Sequence, residues 1–200
     1  MIQSAPAHGK VPVAILISGR GSNMQVLVRA AANPAFPGQI VGVLSDRADA
    51  AGLVWASDHG LAVAAIERKA YADKAAHEAA IQTQLDAWGT RFIALAGFMR
   101  VLSTGFVTHW DRRMINIHPS LLPKFKGLDT HARALASGET EHGCSVHWVT
   151  PELDAGEVIA QARVPVLPDD TEETLSARVL VEEHRLYPDA LAQALATQDR

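Results

Sequence analysis

The run Val11–Ile17, VPVAILI, carries no polar side chain at either odd or even positions. A strand with one wet face alternates apolar and polar residues. A strand that is apolar throughout must be covered on both faces, as happens when helices flank a parallel sheet. Directly after it comes Ser18-Gly19-Arg20-Gly21-Ser22-Asn23, and then a segment rich in Ala, Leu and Val. The chain therefore opens as strand, glycine loop and helix, which places it in the α/β class.

The same rhythm recurs. Short apolar runs at 39–44, 61–66, 92–96 and 114–118 are separated by helical patterns at 23–32, 50–59 and 71–88. This repetition predicts a mostly parallel sheet in a three-layer αβα sandwich, Rossmann-like in its N-terminal half. The pattern then changes. Residues 143–149 and 158–166 are consecutive strand patterns joined by the acidic turn 150–156, which predicts an antiparallel element near the C-terminus. Residues 170–196 read as a final helix, with Asp170 or Thr171 as N-cap and Glu173 three positions after Asp170. No linker, repeat or low-complexity stretch divides the chain. Residues 1–200 are expected to form one domain, with 1–10 as a loose tail rather than a signal peptide.

Charge and composition exclude several function classes. The net charge of −4 leaves no basic footprint for nucleic acid. No stretch reaches the roughly 18 apolar residues of a membrane span. The single cysteine, Cys144, rules out an intramolecular disulfide framework and fits a cytoplasmic location. Cys144 also sits in an alternating run, Cys144-Ser145-Val146-His147-Trp148-Val149, where it reads as a plain strand residue rather than a nucleophile.

Two places carry chemistry. In the loop after the first strand, Gly19 and Gly21 let the backbone approach a ligand, and the helix N-terminus favours an anion. Ser22 and Asn23 are candidate caps and candidate phosphate ligands. Asp46 ends the second strand, where a dinucleotide fold would hold a ribose, but Met24 stands where the third glycine of that fingerprint belongs. The loop therefore suits one phosphate better than a pyrophosphate. The second place is Met114–His118, MINIH, followed by Pro119. Alternation puts Asn116 and His118 on one face, and Pro119 ends the strand just after the histidine. Both side chains can donate hydrogen bonds to the oxyanion of an acyl transfer. No Gly-x-Ser-x-Gly nucleophile motif is present, so direct attack by a substrate amine is favoured over a covalent acyl-enzyme. A proton acceptor is then needed, and Asp154 is one of several acids in the turn that could serve.

At these residues the chain resembles the phosphoribosylglycinamide formyltransferases. The resemblance runs from about Val11 to Pro188 and rests on several motifs. These are the glycine loop 17–25, Leu95-Ala96-Gly97-Phe98-Met99-Arg100-Val101-Leu102-Ser103, and Asn116-Ile117-His118-Pro119-Ser120-Leu121-Leu122-Pro123-Lys124. Glu141-His142-Gly143, Leu153-Asp154-Ala155-Gly156 and Glu183-His184 extend it. The resemblance implies a formyltransferase-type fold and the donor 10-formyltetrahydrofolate as co-substrate, with no metal. It implies a catalytic trio of Asn116, His118 and Asp154, and a nucleotide site at Gly21, Ser22, Asn23 and Glu183. Glu183 lies four residues after Val179, on or beside the apolar stripe of the last helix. A folate pocket is implied at Met99, Arg100, Val101 and Leu102, with Thr150, Pro151, Glu152, Leu153, Asp154 and Asn116 opposite. Arg68 matches a folate-contacting arginine, with Lys69 as its competitor. Without the resemblance, 98–102 reads as the start of a core-packed helix.

Two departures from the family pattern are visible. Ala155 replaces the first glycine of Leu-Asp-Gly-Gly, which is expected to stiffen the turn. Lys126 and Asp129 stand where Pro and His are common. The expected partners are the two small-molecule substrates, with a homodimer allowed and neither nucleic acid nor membrane. A methionyl-tRNA formyltransferase would carry a further basic domain, and a formyltetrahydrofolate deformylase an N-terminal regulatory one. The more distant rivals are an NAD-dependent oxidoreductase, a histidine-built metal hydrolase and a non-enzymatic nucleotide-binding module.

Overall fold

In the computed structural model, which describes residues 9–198, β1 (Val11–Ile17) lies between two parallel neighbours. On one side is β2 (Gly38–Ser45) and on the other β4 (Phe92–Leu95). Its alternate side chains enter two different cores. Val13, Ile15 and Ile17 are buried in one with Met24 and Leu27 of α1 (Ser22–Ala31) and Leu191 of α6 (Glu172–Ala196). Ala14 and Leu16 are buried in the other with Ile81 and Leu85 of α3 (Lys74–Ala87). Both faces are dry, as the unbroken apolar run requires. Each fully buried Val, Leu or Ile contributes about 1.5–3 kcal/mol.

The remaining elements are α2 (Ala51–Asp58), β3 (Val63–Ala65), α4 (Thr104–His109), β5 (Met114–His118), α5 (Thr130–Ala136), β6 (Glu141–Trp148) and β7 (Val158–Pro165). One seven-stranded sheet has the order β3-β2-β1-β4-β5-β6-β7. Strands β3 to β5 pair in parallel, and β6 and β7 add an antiparallel edge. The direction of winding reverses between β1 and β4, so the loops after these strands diverge and open a crevice at their carboxyl ends. They stay tied at its base, where Ser18 N–H donates to the Gly97 carbonyl at 3.1 Å. The Met99 N–H donates to Ser18 Oγ at 2.8 Å.

The strand and helix patterns of the sequence all appear, with ends shifted by a few residues. Three local expectations change, and one helix is added. Residues 98–102 are not the first turn of a helix, because α4 begins only after its N-cap Ser103, whose hydroxyl accepts from Phe106 N–H. Phe98 is buried there, while Met99 and Val101 are 63% and 67% exposed, the opposite of core packing. Helix α5 had no clear periodic signal in the sequence. The last helix is capped by Thr171, one of the two expected caps, but its reciprocal box is made with Thr174 and not with Glu173. Of the expected tail, residues 1–8 lie outside the described residues, and Lys10 is anchored by its amine to the carbonyl of Asn33 at 3.0 Å.

The turn 150–156 is shaped by a close approach of backbone to backbone. A Cβ on Gly156 would stand 1.8 Å from the Trp148 carbonyl oxygen, so only glycine fits. Ala155 is exposed and its φ is not positive; the left-handed residue is its neighbour Asp154, at φ 48°. Alanine in place of the family's glycine is thus accommodated without strain. Gly156→Ala should cost about 2–3 kcal/mol, because a backbone oxygen cannot yield as a side chain would. Ala155→Gly should cost under about 1 kcal/mol, through unfolded-state entropy alone. Urea unfolding of the two variants checks the contrast, and equal stabilities would show that this approach does not shape the turn.

Candidate active site

Strand β5 sets the centre. Its alternation sends Ile115 and Ile117 into the α1/α6 core and Asn116 and His118 to the other face, the side of Met114. Pro119 ends the strand and leaves both polar groups at its carboxyl end. The antiparallel strand β6 places His147 opposite Asn116 and Ser145 opposite His118. The turn 150–156 then folds back over this face and brings in Asp154 from far along the chain.

The resulting geometry joins Asn116, His118 and Asp154. His118 Nδ1 lies 3.5 Å from Asp154 Oδ2, and both side chains are 8% exposed. His118 Nε2 lies 3.0 Å from the Phe125 carbonyl, which can only accept, so that nitrogen carries a proton. Asp154 Oδ2 also accepts from Gly127 N–H at 2.9 Å. A protonated His118 would have an acceptor for each ring N–H. Near-complete burial strengthens these contacts by excluding water.

His147 completes the cluster. Its Nδ1 sits 2.9 Å from the Trp148 carbonyl and must donate there, which makes Nε2 the acceptor of the neutral ring. That Nε2 faces the Asn116 amide nitrogen at 3.2 Å and lies 3.6 Å from Asp154 Oδ1. Burial lowers the His147 pKa and keeps the ring neutral, which preserves the acceptor. The Asn116 amide is thereby oriented, with its second N–H free for a ligand. The sequence signal for His147 was the alternation 144–149, but a histidine inside an apolar strand is also an ordinary core residue. The contacts from Phe125 and Gly127 are backbone groups and have no side-chain signature. Cys144 is fully buried and its thiol is pushed up to about 12 by burial, so it is no nucleophile.

The glycine loop lies across the crevice. Gly21 is the N-cap of α1 at φ 74°, and no side chain caps the helix. The expectation that Ser22 or Asn23 caps it is therefore corrected: both lie inside the first turn. The N–H groups ahead of the first i→i−4 bond, Gln25 N–H to Gly21 carbonyl at 2.9 Å, face out of the helix end. The Asn23 amide instead donates to Glu183 Oε2 at 2.7 Å across the α1/α6 contact. Glu183 is buried, which raises its pKa, while the bond from Asn23 opposes that shift. Asn23 Oδ1 is buried without a hydrogen-bond partner in the protein, one of five such side-chain atoms among the described residues.

The implied folate residues divide in two. Met99, Arg100, Val101 and Leu102 line a cleft of about 380 Å³ together with Arg68 and Glu78. Arg68 donates to the Tyr71 carbonyl at 2.8 Å, while its competitor Lys69 points to solvent and pairs with Glu67 at 3.2 Å. Arg100 is paired with the buried Asp46, which takes that acid away from any ribose and counts against a dinucleotide site. Glu78 accepts from the N–H and hydroxyl of Ser103 and anchors the far end of the segment. On the other side, Thr150 bonds the Glu152 carbonyl at 3.0 Å, Glu152 pairs with Lys126 at 3.3 Å, and Pro151 and Leu153 are exposed. The exposed Met99, Val101 and Leu153 give both sides apolar surface that a flat ring system could cover. Among the described residues no group of three or more His, Cys, Asp or Glu could hold a metal ion, and no helix is long and apolar enough to cross a membrane.

Comparison with known proteins agrees with this geometry. The formyl transferase family model matches residues 11–191. Phosphoribosylglycinamide formyltransferase of Escherichia coli (strain K12) is 45% identical over 176 residues, covering 88% of this chain and 83% of that protein. The trifunctional purine biosynthetic protein adenosine-3 of Bos taurus is 47% identical over 182 residues. There the chain is covered to 91% but spans only 18% of the relative's length. Among solved structures, phosphoribosylglycinamide formyltransferase from Brucella melitensis superposes with a TM-score of 0.90 at 53% identity, covering 94% of this chain and 96% of that one. Glycinamide ribonucleotide transformylase 1 from Symbiobacterium toebii superposes at 0.93 with 40% identity, over 98% and 92%.

A histidine pair beside the site makes stability sensitive to acid. His142 Nε2 lies 3.2 Å from His131 Nδ1, and burial lowers both pKa values, that of His142 to about 4. The unfolded chain takes up a proton on His142 near pH 6.5, whereas the folded chain resists until about pH 4. Acidification through that window therefore favours unfolding, and above it the group contributes no pH dependence. Tm should fall between pH 6.5 and 4, and His142→Gln should flatten the decline by at most about 1.4 kcal/mol per pH unit. An unchanged slope in the variant would refute this origin.

Proposed function

The chain belongs to the formyl transferase family, and on that premise we infer that it transfers the formyl group of 10-formyltetrahydrofolate to the amine of 5'-phosphoribosylglycinamide. The products are formylglycinamide ribonucleotide and tetrahydrofolate, as a step of purine biosynthesis. The observation that carries the reading is the convergence of Asn116, His118 and Asp154 beside the crevice between β1 and β4.

The residues divide the work as follows. Gly21, Ser22 and Asn23 offer N–H groups at the α1 N-terminus to the phosphate. Glu183, with the free oxygen of Asn23, takes donor groups of the nucleotide. The pterin enters the cleft along Met99 to Leu102, with Thr150 to Asp154 opposite and Arg68 at its edge. The amine then attacks the formyl carbon, and the carbonyl oxygen becomes an oxyanion. The free Asn116 N–H and a protonated His118 stabilise that charge. Asp154, directly or through water, accepts the amine proton and passes it towards N10 as the C–N10 bond breaks. The sum is one N–H exchanged for one N–formyl bond, and no covalent enzyme intermediate or metal is needed.

The same proposal treats the chain as a single domain working in the cytoplasm. Support comes from one sheet running through the fold and from a lone, buried cysteine. A homodimer is the assembly the resemblance allows, and light scattering decides it.

The direct test incubates the protein with 10-formyltetrahydrofolate, with and without glycinamide ribonucleotide, and follows the formyl donor. Loss should require the amine; equal loss in its absence would identify a deformylase. Asn116→Ala and His118→Ala should each lower kcat by about 10²–10³-fold with smaller effects on KM. Asp154→Asn should lose at least as much, while Glu152→Gln, in the same turn, should leave kcat near wild type and act at most on KM for the folate. A larger loss from Glu152→Gln would mean that the wrong carboxylate has been chosen.

A further inference from the structure

The segment between Pro123 and Thr130 supplies two backbone groups to the centre. The Phe125 carbonyl accepts from His118 Nε2 at 3.0 Å, and Gly127 N–H donates to Asp154 Oδ2 at 2.9 Å. This backbone is not one the chain adopts readily. Phe125, Gly127 and Asp129 have φ values of 54°, 80° and 55°, so left-handed residues occupy three alternate positions. A left-handed Phe is disfavoured and persists only where its surroundings hold it.

One side chain binds this backbone at two further points. Arg133, in α5, donates through Nη1 to the Lys126 carbonyl at 2.6 Å and the Leu128 carbonyl at 3.2 Å. These two carbonyls interleave with the two groups that serve His118 and Asp154. The guanidinium also lies 5.5 Å from the centre of the Phe125 ring, and that ring meets His142 edge-on at 5.9 Å. A single planar cation thus secures both the backbone of 126–128 and the ring of Phe125. Lysine could not do both, having a point charge and no plane to lay on the ring.

We propose that Arg133 is a positioning residue for formyl transfer. By holding 125–128 it keeps the Phe125 carbonyl on Nε2 of His118, which fixes the ring's orientation in its protonated form and the Nε2–H tautomer in its neutral form. Nδ1 is then left to Asp154 and the reacting atoms. The inference rests on His118 being part of the reaction centre. If the carbonyl drifts, the proton is free to move to Nδ1, and a rate is lost rather than a binding energy.

The test uses the full chain. In Arg133→Met, kcat should fall about 10- to 100-fold, as for a small misplacement of a catalytic group, with KM for both substrates within about twofold. The ¹⁵N shifts of the His118 imidazole should move from the Nε2–H pattern towards a mixture of tautomers. Arg133→Gln, which keeps one donor, should fall between, and should Arg133→Met fail to fold it carries the same test. Arg163→Met, on exposed β7, is the control and should change neither quantity. Unchanged kcat and unchanged shifts overturn the proposal. A lower kcat with the wild-type tautomer overturns it too, because Arg133 would then act by another route. A shifted tautomer at full activity refutes instead the placement of His118 in the reaction, a separate failure that His118→Ala would show independently.

Discussion

The parallel pairing of β1 with β4 is the constraint on which the rest of the site depends. Because β1 is buried on both faces, its neighbours cannot be exchanged for solvent, and the chain must wind outward from it in opposite directions. The glycine loop after β1 and the exposed 98–102 segment after β4 consequently leave the sheet side by side and diverge. The hydrogen bonds from Ser18 to Gly97 and from Met99 to Ser18 tie the two loops at their base. Tyr187 of α6 adds a third tie, donating to the Leu95 carbonyl at 2.7 Å at the end of β4. The two loops that flank the crevice thus share one hydrogen-bonded root.

Around that root the polar groups are arranged so that few are left for the protein itself to satisfy. His147 is held neutral and spends its two nitrogens on the Trp148 carbonyl and the Asn116 amide. Ser145, opposite His118, bonds the Ser120 carbonyl and accepts from Leu122 N–H, which closes the loop after Pro119 against β6. His118 and Asp154 are likewise bonded to the backbone at Phe125 and Gly127, while the oxygen of Asn23 is one of five buried side-chain atoms among the described residues with no partner in the protein.

The site also concentrates unfavourable backbone. Phe125, Asp129 and Asp154 are three of the four non-glycine residues with positive φ among the described residues, and all lie in the two segments that meet over His118. Each costs of order 1–3 kcal/mol unless its surroundings over-determine it. The surroundings here are Arg133 and His142, which hold 125–128, and the Gly127–Asp154 contact, which joins the two segments.

Much of this could be read from the chain itself. The dry run Val11–Ile17, the repeating strand and helix patterns and the late hairpin specify the layers, because burial on one or two faces is a property of local residue order. Alternation with a terminal Pro119 likewise put Asn116 and His118 on one face at a strand end. The segment 98–102 misled, since its apolar residues signal burial to any periodicity argument, yet Met99 and Val101 stand exposed and only Phe98 is buried. Choosing Asp154 among the turn acids needed the resemblance, because nothing local distinguishes it from Glu152. Tertiary structure alone decided which carboxylate reaches His118, that His147 orients Asn116, and that the Asn23 amide serves Glu183 rather than a helix cap. These contacts join residues up to 160 positions apart, or use backbone groups common to every residue, so they exist only once the sheet has brought the segments together.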